Sequence, residues 1–354
     1  MRARYVALVT GAGAIVSGLP CWAGTTPGLN TDGPVVSSTS VRAQRLLESA
    51  AASSRTRSWQ GVQHIVSVRD GHPTFTVLRL SHVPGSGHLM TVVTPETSDA
   101  AKVAVDQPSD SHMLSLLSQH YDLAVVGRAV CIGRKALVVE ARRRGVSGAS
   151  AVAGRFWLDA DSHLVLRREV LDTAGSVISS AAFVEMTTGP SMVPVAQVEQ
   201  APVHPSGELL SNEALTDLEQ EGWPVPRTIT SASFDLFEAR LHDDGATPVL
   251  QLSYSDGLST LSLFVQRGWL DGDPAGTARS LDGGTVWIEQ GAPERVVWSG
   301  GEFTWTLVSD AASETVSEAV RALPHRASLV DNDGVPERVW RGMARVGGWL
   351  NPFD

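Results

Sequence analysis

The sequence predicts an α+β protein, mostly antiparallel β, in which a large curved sheet forms an N-terminal domain and a smaller sheet with a helix forms a C-terminal one. Three stretches carry that prediction. Residues 121–186 are a series of strand-like runs between turn signals. Residues 136–141 are apolar and β-branched, and Phe156-Trp157-Leu158 leads into the polar turn Asp159-Ala160-Asp161-Ser162. Residues 164–171 alternate apolar residues with Arg167 and Glu169, although Arg168 breaks the alternation. Asp172-Thr173-Ala174-Gly175 turns again, and 177–186 closes the run. Such a meander makes one twisted antiparallel sheet with one face packed and one free, and a free inner face is a place to hold something apolar. Residues 189–207 hold four prolines and little periodicity, which reads as a linker. Residues 223–308 are strand-rich again, with turns at Asp243-Asp244-Gly245, Ser255-Asp256-Gly257, Asp282-Gly283-Gly284 and Ser299-Gly300-Gly301.

A chain of 354 residues has room for two domains at roughly 100–200 residues each. Its hydrophobic fraction of 42% and mean hydropathy near zero suit a folded core. A net charge of −10 argues against nucleic acid as a partner, because phosphate binding needs a basic footprint.

At the N-terminus, Arg2 and Arg4 precede an apolar run over 5–19 that Pro20 ends, and Cys21-Trp22-Ala23 offers small residues at −3 and −1 of a cleavage site. Residues 1–23 therefore read as a secretory signal peptide rather than an anchor, the run being short for a membrane span. Gly18-Leu19-Pro20 is a poor lipobox for Cys21. Cleavage after Ala23 leaves Cys131 as a buried core thiol with no partner for a disulfide. The expected location is outside the cytoplasm, in the cell envelope.

Residues 24–40, rich in Gly, Pro, Ser and Thr, read as a flexible spacer. Ser40 is the expected cap of a helix over 41–52 with Ala43, Leu46, Leu47 and Ala50 on one face. Residues 59–68 and 74–80 form a strand pair across Asp70-Gly71, 88–94 is a further strand, and 111–119 is a short helix. The first domain spans 41–189. The linker, 190–221, includes a helix candidate from Asn212. The second domain spans 222–325 and closes with a helix that Asp310 caps and Pro324 ends, with Val316, Ala319, Val320 and Leu323 in one stripe. In the tail, 326–354, Val339, Trp340, Met343 and Val346 share a helical face with Arg338, Arg341 and Arg345 elsewhere, which suits docking on the protein itself or peripheral contact with a membrane surface.

Enzyme signatures are missing: there is no Gly-x-Ser-x-Gly, no His-Glu-x-x-His, no Gly-x-x-x-x-Gly-Lys and no Gly-x-Gly-x-x-Gly. His82 with His88, and His112 with His120, lack further ligands at metal spacing. Ser109-Asp110-Ser111-His112 fits a helix start better than a hydrolytic site. The sequence therefore predicts no catalysis, no cofactor and no metal. Arg142, Arg143 and Arg144 form the densest positive cluster, either a solvated loop or a contact for an anionic group. Trp59, Phe75, Phe156, Trp157 and Phe183 recur on strands of the first domain as core residues or as the lining of an apolar cavity.

Several of these residues fall in a known order. Ala43-x-x-Leu46-Leu47 is followed by Trp59-x-Gly61, Ile132-Gly133-Arg134-x-Ala136, and Trp157-Leu158-Asp159 running through Leu164-x-Leu166-Arg167-x-Glu169 to Asp172-x-x-Gly175. Tyr254-Ser255-Asp256-Gly257-Leu258-x-x-Leu261-Ser262-Leu263-Phe264 comes next, and a closing helix follows over 314–323. In that order and spacing the chain resembles the MucB/RseB family of extracytoplasmic sigma-factor regulatory proteins over about 41–323. The resemblance implies an N-terminal domain like the envelope lipoprotein carriers and a smaller C-terminal domain. It also implies a non-catalytic protein that binds the outer segment of a membrane-bound anti-sigma factor, shields it from regulated proteolysis, and lets go when a lipid-like or stress ligand binds. Ser255, Asp256, Gly257 and Leu258 are then expected to shape the partner-binding surface, although a plain tight turn also accounts for them. The five aromatics would line the cavity for a lipid or acyl ligand. The alternative is an envelope lipid or lipoprotein carrier, for which the first domain alone would suffice. The tail and the turn at Asp271-Gly272-Asp273-Pro274 depart from the family pattern, and homo-oligomer formation is open.

Overall fold

A computed structural model of the chain describes residues 21–23, 36–69, 71–84, 87–93, 102–105, 110–189, 207–229, 233–243, 247–325 apart from 271, 273, 283 and 292, and 334–335. Strand β1 (Cys21–Ala23) comes first, then helix α1 (Val36–Thr56). The helix begins inside the stretch expected as spacer. Ala43, Leu47 and Ala50 are buried against the sheet, and burial of that stripe carries the helix where Ser and Thr propensity alone would not.

Strands β2 (Trp59–Arg69) and β3 (His72–Val83) form the expected hairpin, which β4 (Gly87–Val93) and β5 (Lys102–Val105) extend. Helix α2 (Asp110–His120) leads into the meander β6 (Tyr121–Cys131), β7 (Arg134–Arg143), β8 (Val152–Asp159), β9 (Val165–Leu171) and β10 (Val177–Thr188). All ten strands make one open antiparallel sheet in the order β1-β6-β7-β8-β9-β10-β2-β3-β4-β5. The closing pair is β10 on β2, from Ser179 opposite Ser67 to Thr188 opposite Trp59, so the meander and the first hairpin share one surface.

The Asp159 turn between β8 and β9 forms as the sequence predicts. Its carboxylate accepts from the backbone N–H of Asp161 (2.8 Å) and Ser162 (3.2 Å) and pairs with Arg134. Burial works to raise the Asp159 pKa, but those donors outweigh it and hold the group below the ordinary carboxylate value.

The second unit contains β11 (Glu208–Leu209), α3 (Asn212–Gln220), β12 (Thr228–Ile229), β13 (Phe234–His242), β14 (Val249–Ser255), β15 (Thr260–Arg267), β16 (Trp269–Leu270), β17 (Thr277–Leu281), β18 (Gly284–Glu289), β19 (Glu294–Gly300), β20 (Phe303–Ser309), α4 (Ser313–Ala322) and β21 (Gly334–Val335). Its sheet has nine strands, so it is nearly as large as the first. One core holds it together: Trp298 and Trp305 stack at 5.9 Å between centroids, and Leu215 of α3 and Val316, Ala319 and Val320 of α4 close over it. Ser211 caps α3 by accepting from Ala214 N–H at 3.2 Å. The N-cap of α4 is Ala312, with no side-chain hydrogen bond. Asp310, the expected cap, instead accepts from the backbone N–H of Thr260 at 2.7 Å.

Cys131 is buried and disulfide-bonded, not the isolated thiol expected from the sequence. Apart from β21, the tail lies outside the described residues, as does the linker between Gly189 and Gly207. No described helix is long and apolar enough to cross a membrane.

Candidate functional site at the joint between the sheets

Strand pairing divides the first sheet into two faces. Phe156 is opposite Arg168, which is opposite Ala181. Phe183 is opposite Gln63, which is opposite Leu78. These side chains lie on the inner face, the one that α1 and α2 cover. Trp59 joins them: its indole N–H donates to the Ser54 carbonyl of α1 at 3.1 Å, and its ring meets Phe183 edge-on at 5.9 Å. Trp157, next to Phe156, must face the other way because strand side chains alternate. There it lies under Arg167, whose guanidinium is 5.0 Å from the ring centroid. That outer face also carries a charged ladder: Arg155 and Arg142 contact Glu140 at 3.0 and 3.2 Å, and Arg155 and Arg167 both contact Glu169. Phe75 is 73% exposed on β3. The five aromatics therefore do not line one cavity. Trp59, Phe156 and Phe183 share the inner face, Trp157 is on the opposite face and Phe75 stands in solvent.

The arginine cluster is similarly divided. Arg143 donates to three main-chain carbonyls, Ser150 at 2.8 Å, Val152 at 2.9 Å and Leu171 at 2.6 Å, and so fastens the loop to the ends of β8 and β9. Arg142 belongs to the Glu140 ladder. Arg144 donates to the Ser118 carbonyl at 2.8 Å and pairs with Asp122 at 3.4 Å. The three do not converge on one anion-binding point.

Ser255, Asp256, Gly257 and Leu258 are all buried, in the tight turn between β14 and β15. Asp256 accepts from the backbone N–H of Leu258 (2.7 Å) and Ser259 (2.6 Å). Ser255 accepts from Gly257 N–H at 2.9 Å and donates to the Ser259 carbonyl at 2.8 Å. The turn is pressed into the first unit. Leu258 is 1% exposed and belongs to the cluster of Leu47, Leu117, Val139 and Phe156 beneath α1 and α2. Gly257 has φ +89°, and a Cβ there would overlap the backbone of Leu117. At Gly154, on β8, a Cβ would meet Leu258 Cδ2 at 2.7 Å. The residues expected to form an open surface are thus a plug joining the two sheets.

Polar contacts surround the plug. Tyr121 donates to Asp256 at 2.6 Å, His120 and Asp235 pair at 2.9 Å, and Arg168 donates to the Leu258 carbonyl. Arg69 donates to the Asp310 carbonyl at 2.6 Å, and Thr173 meets Glu314 at 3.4 Å. Buried Arg69 and Arg168 oppose Asp256 and Asp310. Burial pushes the Asp310 carboxyl up to about 6, and Asp256 adds to the rise, against the pull of Arg168, the Thr260 N–H and Arg69. Burial, then the charge and hydrogen bond of Asp256, push the Tyr121 hydroxyl well above its ordinary value. The arrangement suits a mechanical joint: it fixes one sheet against the other and holds a carboxyl group that changes charge near pH 6. The sequence marked Ser255–Leu258 as a turn and Asp310 as a helix cap, and Arg168 left a signal of its burial, the break in alternation that places a charge on the apolar face; Arg69, His120, Tyr121 and Asp235 left none.

A family model described as the MucB/RseB N-terminal domain matches residues 79–206, which takes in most of the first sheet. No curated protein matches the chain. Among solved structures, MucB in complex with MucA(peri) is 20% identical and covers 80% of this chain and 100% of its own, at a TM-score of 0.49. The Pseudomonas aeruginosa MucA/MucB complex is 20% identical and covers 81% and 100%, at 0.44. A LolA superfamily protein from Nitrosomonas europaea is 10% identical and covers 43% and 94%, at 0.20. Residues 79–206 of the first unit thus match the MucB/RseB N-terminal domain, and that is the family this part of the chain resembles.

Proposed function

We propose that the protein is a non-catalytic regulator outside the cytoplasm that binds the outer segment of a membrane-bound anti-sigma factor. In this reading it shields that segment from regulated proteolysis and releases it when a lipid-like or stress ligand binds. The observation that carries the proposal is the family match over 79–206. The joint supplies a physical route. A ligand that favours one arrangement of the sheets weakens a partner that needs the other, by the same free energy in both directions. Because Ser255–Leu258 are engaged inside the joint, the partner either meets another part of the second sheet or binds as the joint opens.

The test is a crosslinked pull-down of the tagged, exported protein from its own host's envelope, with proteins and extractable lipids identified by mass spectrometry. A single-span anti-sigma factor as the main specific partner, protected from protease by the purified protein, is the expected result. Lipid or lipoprotein in every molecule, with no anti-sigma factor, would replace this reading with that of a carrier.

A further inference from the structure

The chain has two cysteines, Cys21 and Cys131. Strand β1 pairs antiparallel with the last residues of β6: Cys21 lies opposite Cys131, Trp22 opposite Val130 and Ala23 opposite Ala129. Cys131 is 1% exposed and disulfide-bonded. Residues directly opposed in an antiparallel pair have Cα atoms about 4.5–5.5 Å apart, within the roughly 4.4–6.8 Å that a disulfide spans. We infer that Cys21 is the disulfide partner of Cys131 and is retained in the mature, exported protein, so that any leader is cut on its N-terminal side.

This overturns the cut after Ala23 that small residues alone suggest, because that cut would discard both β1 and the only partner for Cys131. It also excludes lipid attachment at Cys21, since one sulfur cannot form both bonds. The structural gain lies at the sheet's edge. Without β1, β6 is the outer strand, and its unpaired backbone groups are open to another chain. The staple fixes β1 along one end of that edge and closes a long loop.

The bond forms by exchange with the disulfide of an exported thiol oxidase. One thiolate of the pair attacks the oxidase disulfide to give a mixed disulfide and expels an oxidase thiolate. The second cysteine thiolate then displaces the other oxidase sulfur. Two electrons and two protons pass to the oxidase, which leaves as a dithiol. Such a bond persists in an oxidising compartment, so the inference supports an extracytoplasmic location on grounds separate from the family.

The experiment exports the full chain, blocks free thiols with iodoacetamide during lysis, and takes intact and peptide masses with and without reductant. The expected result is no label before reduction, both cysteines labelled after it, and one crosslinked peptide pair joining Cys21 to Cys131. An N-terminus at Gly24 or beyond, a labelled Cys131 before reduction, or a lipid thioether on Cys21 would overturn the inference. A Cys21→Ser variant should melt lower than the oxidised protein, and as low as the wild type under reductant. An unchanged Tm would also overturn it. Neither result depends on which partner the protein binds.

Discussion

Leu258→Ala should loosen the two sheets from each other. Leu258 comes from the second sheet, yet it is 1% exposed among Leu47, Leu117, Val139 and Phe156 of the first unit. Truncation removes three buried carbons, worth about 2.4 kcal/mol in transfer at roughly 0.8 kcal/mol each. The walls that remain are strands and a helix, which collapse only partly, and residual cavity brings the cost to about 3–4 kcal/mol. At roughly 2 °C per kcal/mol for a chain of this size, Tm should fall by about 6–8 °C. Because the lost contacts are between units, calorimetry should show the transition broaden or divide, with the first sheet's melt moving away from that of the second. The assay is scanning calorimetry of the purified protein at pH 7, with urea unfolding as a second measure. A Tm drop under about 2 °C with one unchanged transition would refute the reasoning, because no fully buried plug can lose that much packing so cheaply.

Asp310→Asn keeps the oxygen that accepts from Thr260 but removes the charge. With the folded pKa raised to about 6 from 3.8, the folded form binds the proton more tightly, so this group adds stability as pH falls below 6. The wild type should therefore gain about 1 kcal/mol from Asp310 between pH 7 and pH 5. Urea midpoints across that range should show the gain in the wild type and lose it in the variant; matching slopes would contradict the assignment. Arg143→Ala should cost about 2–3 kcal/mol, since three carbonyl contacts go with it. Arg142→Ala and Arg144→Ala, with more exposed pairs, should each cost less than about 1 kcal/mol. Equal urea midpoints for the three would show that the cluster is a solvated loop after all.

The meander was legible from Ala136 to Met186 because alternation, β-branching and the Asp159 and Gly175 turns are local: each residue states its own preference. Helix α3 was legible only as a candidate starting at Asn212, and its Ser211 cap is a finding of the structure. The family order of motifs also came from the sequence, and the match over 79–206 agrees with it. The apolar stripes of α1 and α4 were legible too, and both are buried; what was not legible was which face of a strand, or which distant element, a residue meets. Phe156 and Trp157 look alike in sequence, yet one lies beneath α1 and the other against Arg167, because period-two alternation separates neighbours without naming the face that is covered. Asp310 had the right letter and place for a helix cap, but a partner fifty residues earlier, Thr260, claimed its carboxylate. Ser255-Asp256-Gly257-Leu258 was recognisable as a turn, and nothing local could say that another unit's helix would close over it. Cys21 reads as part of a leader until the register of β1 on β6 sets it opposite Cys131. The sequence by itself determined most of the strands and turns and the match to the MucB/RseB N-terminal domain over 79–206. The tertiary structure alone decided what is buried against what, since burial depends on surfaces brought together from distant parts of the chain.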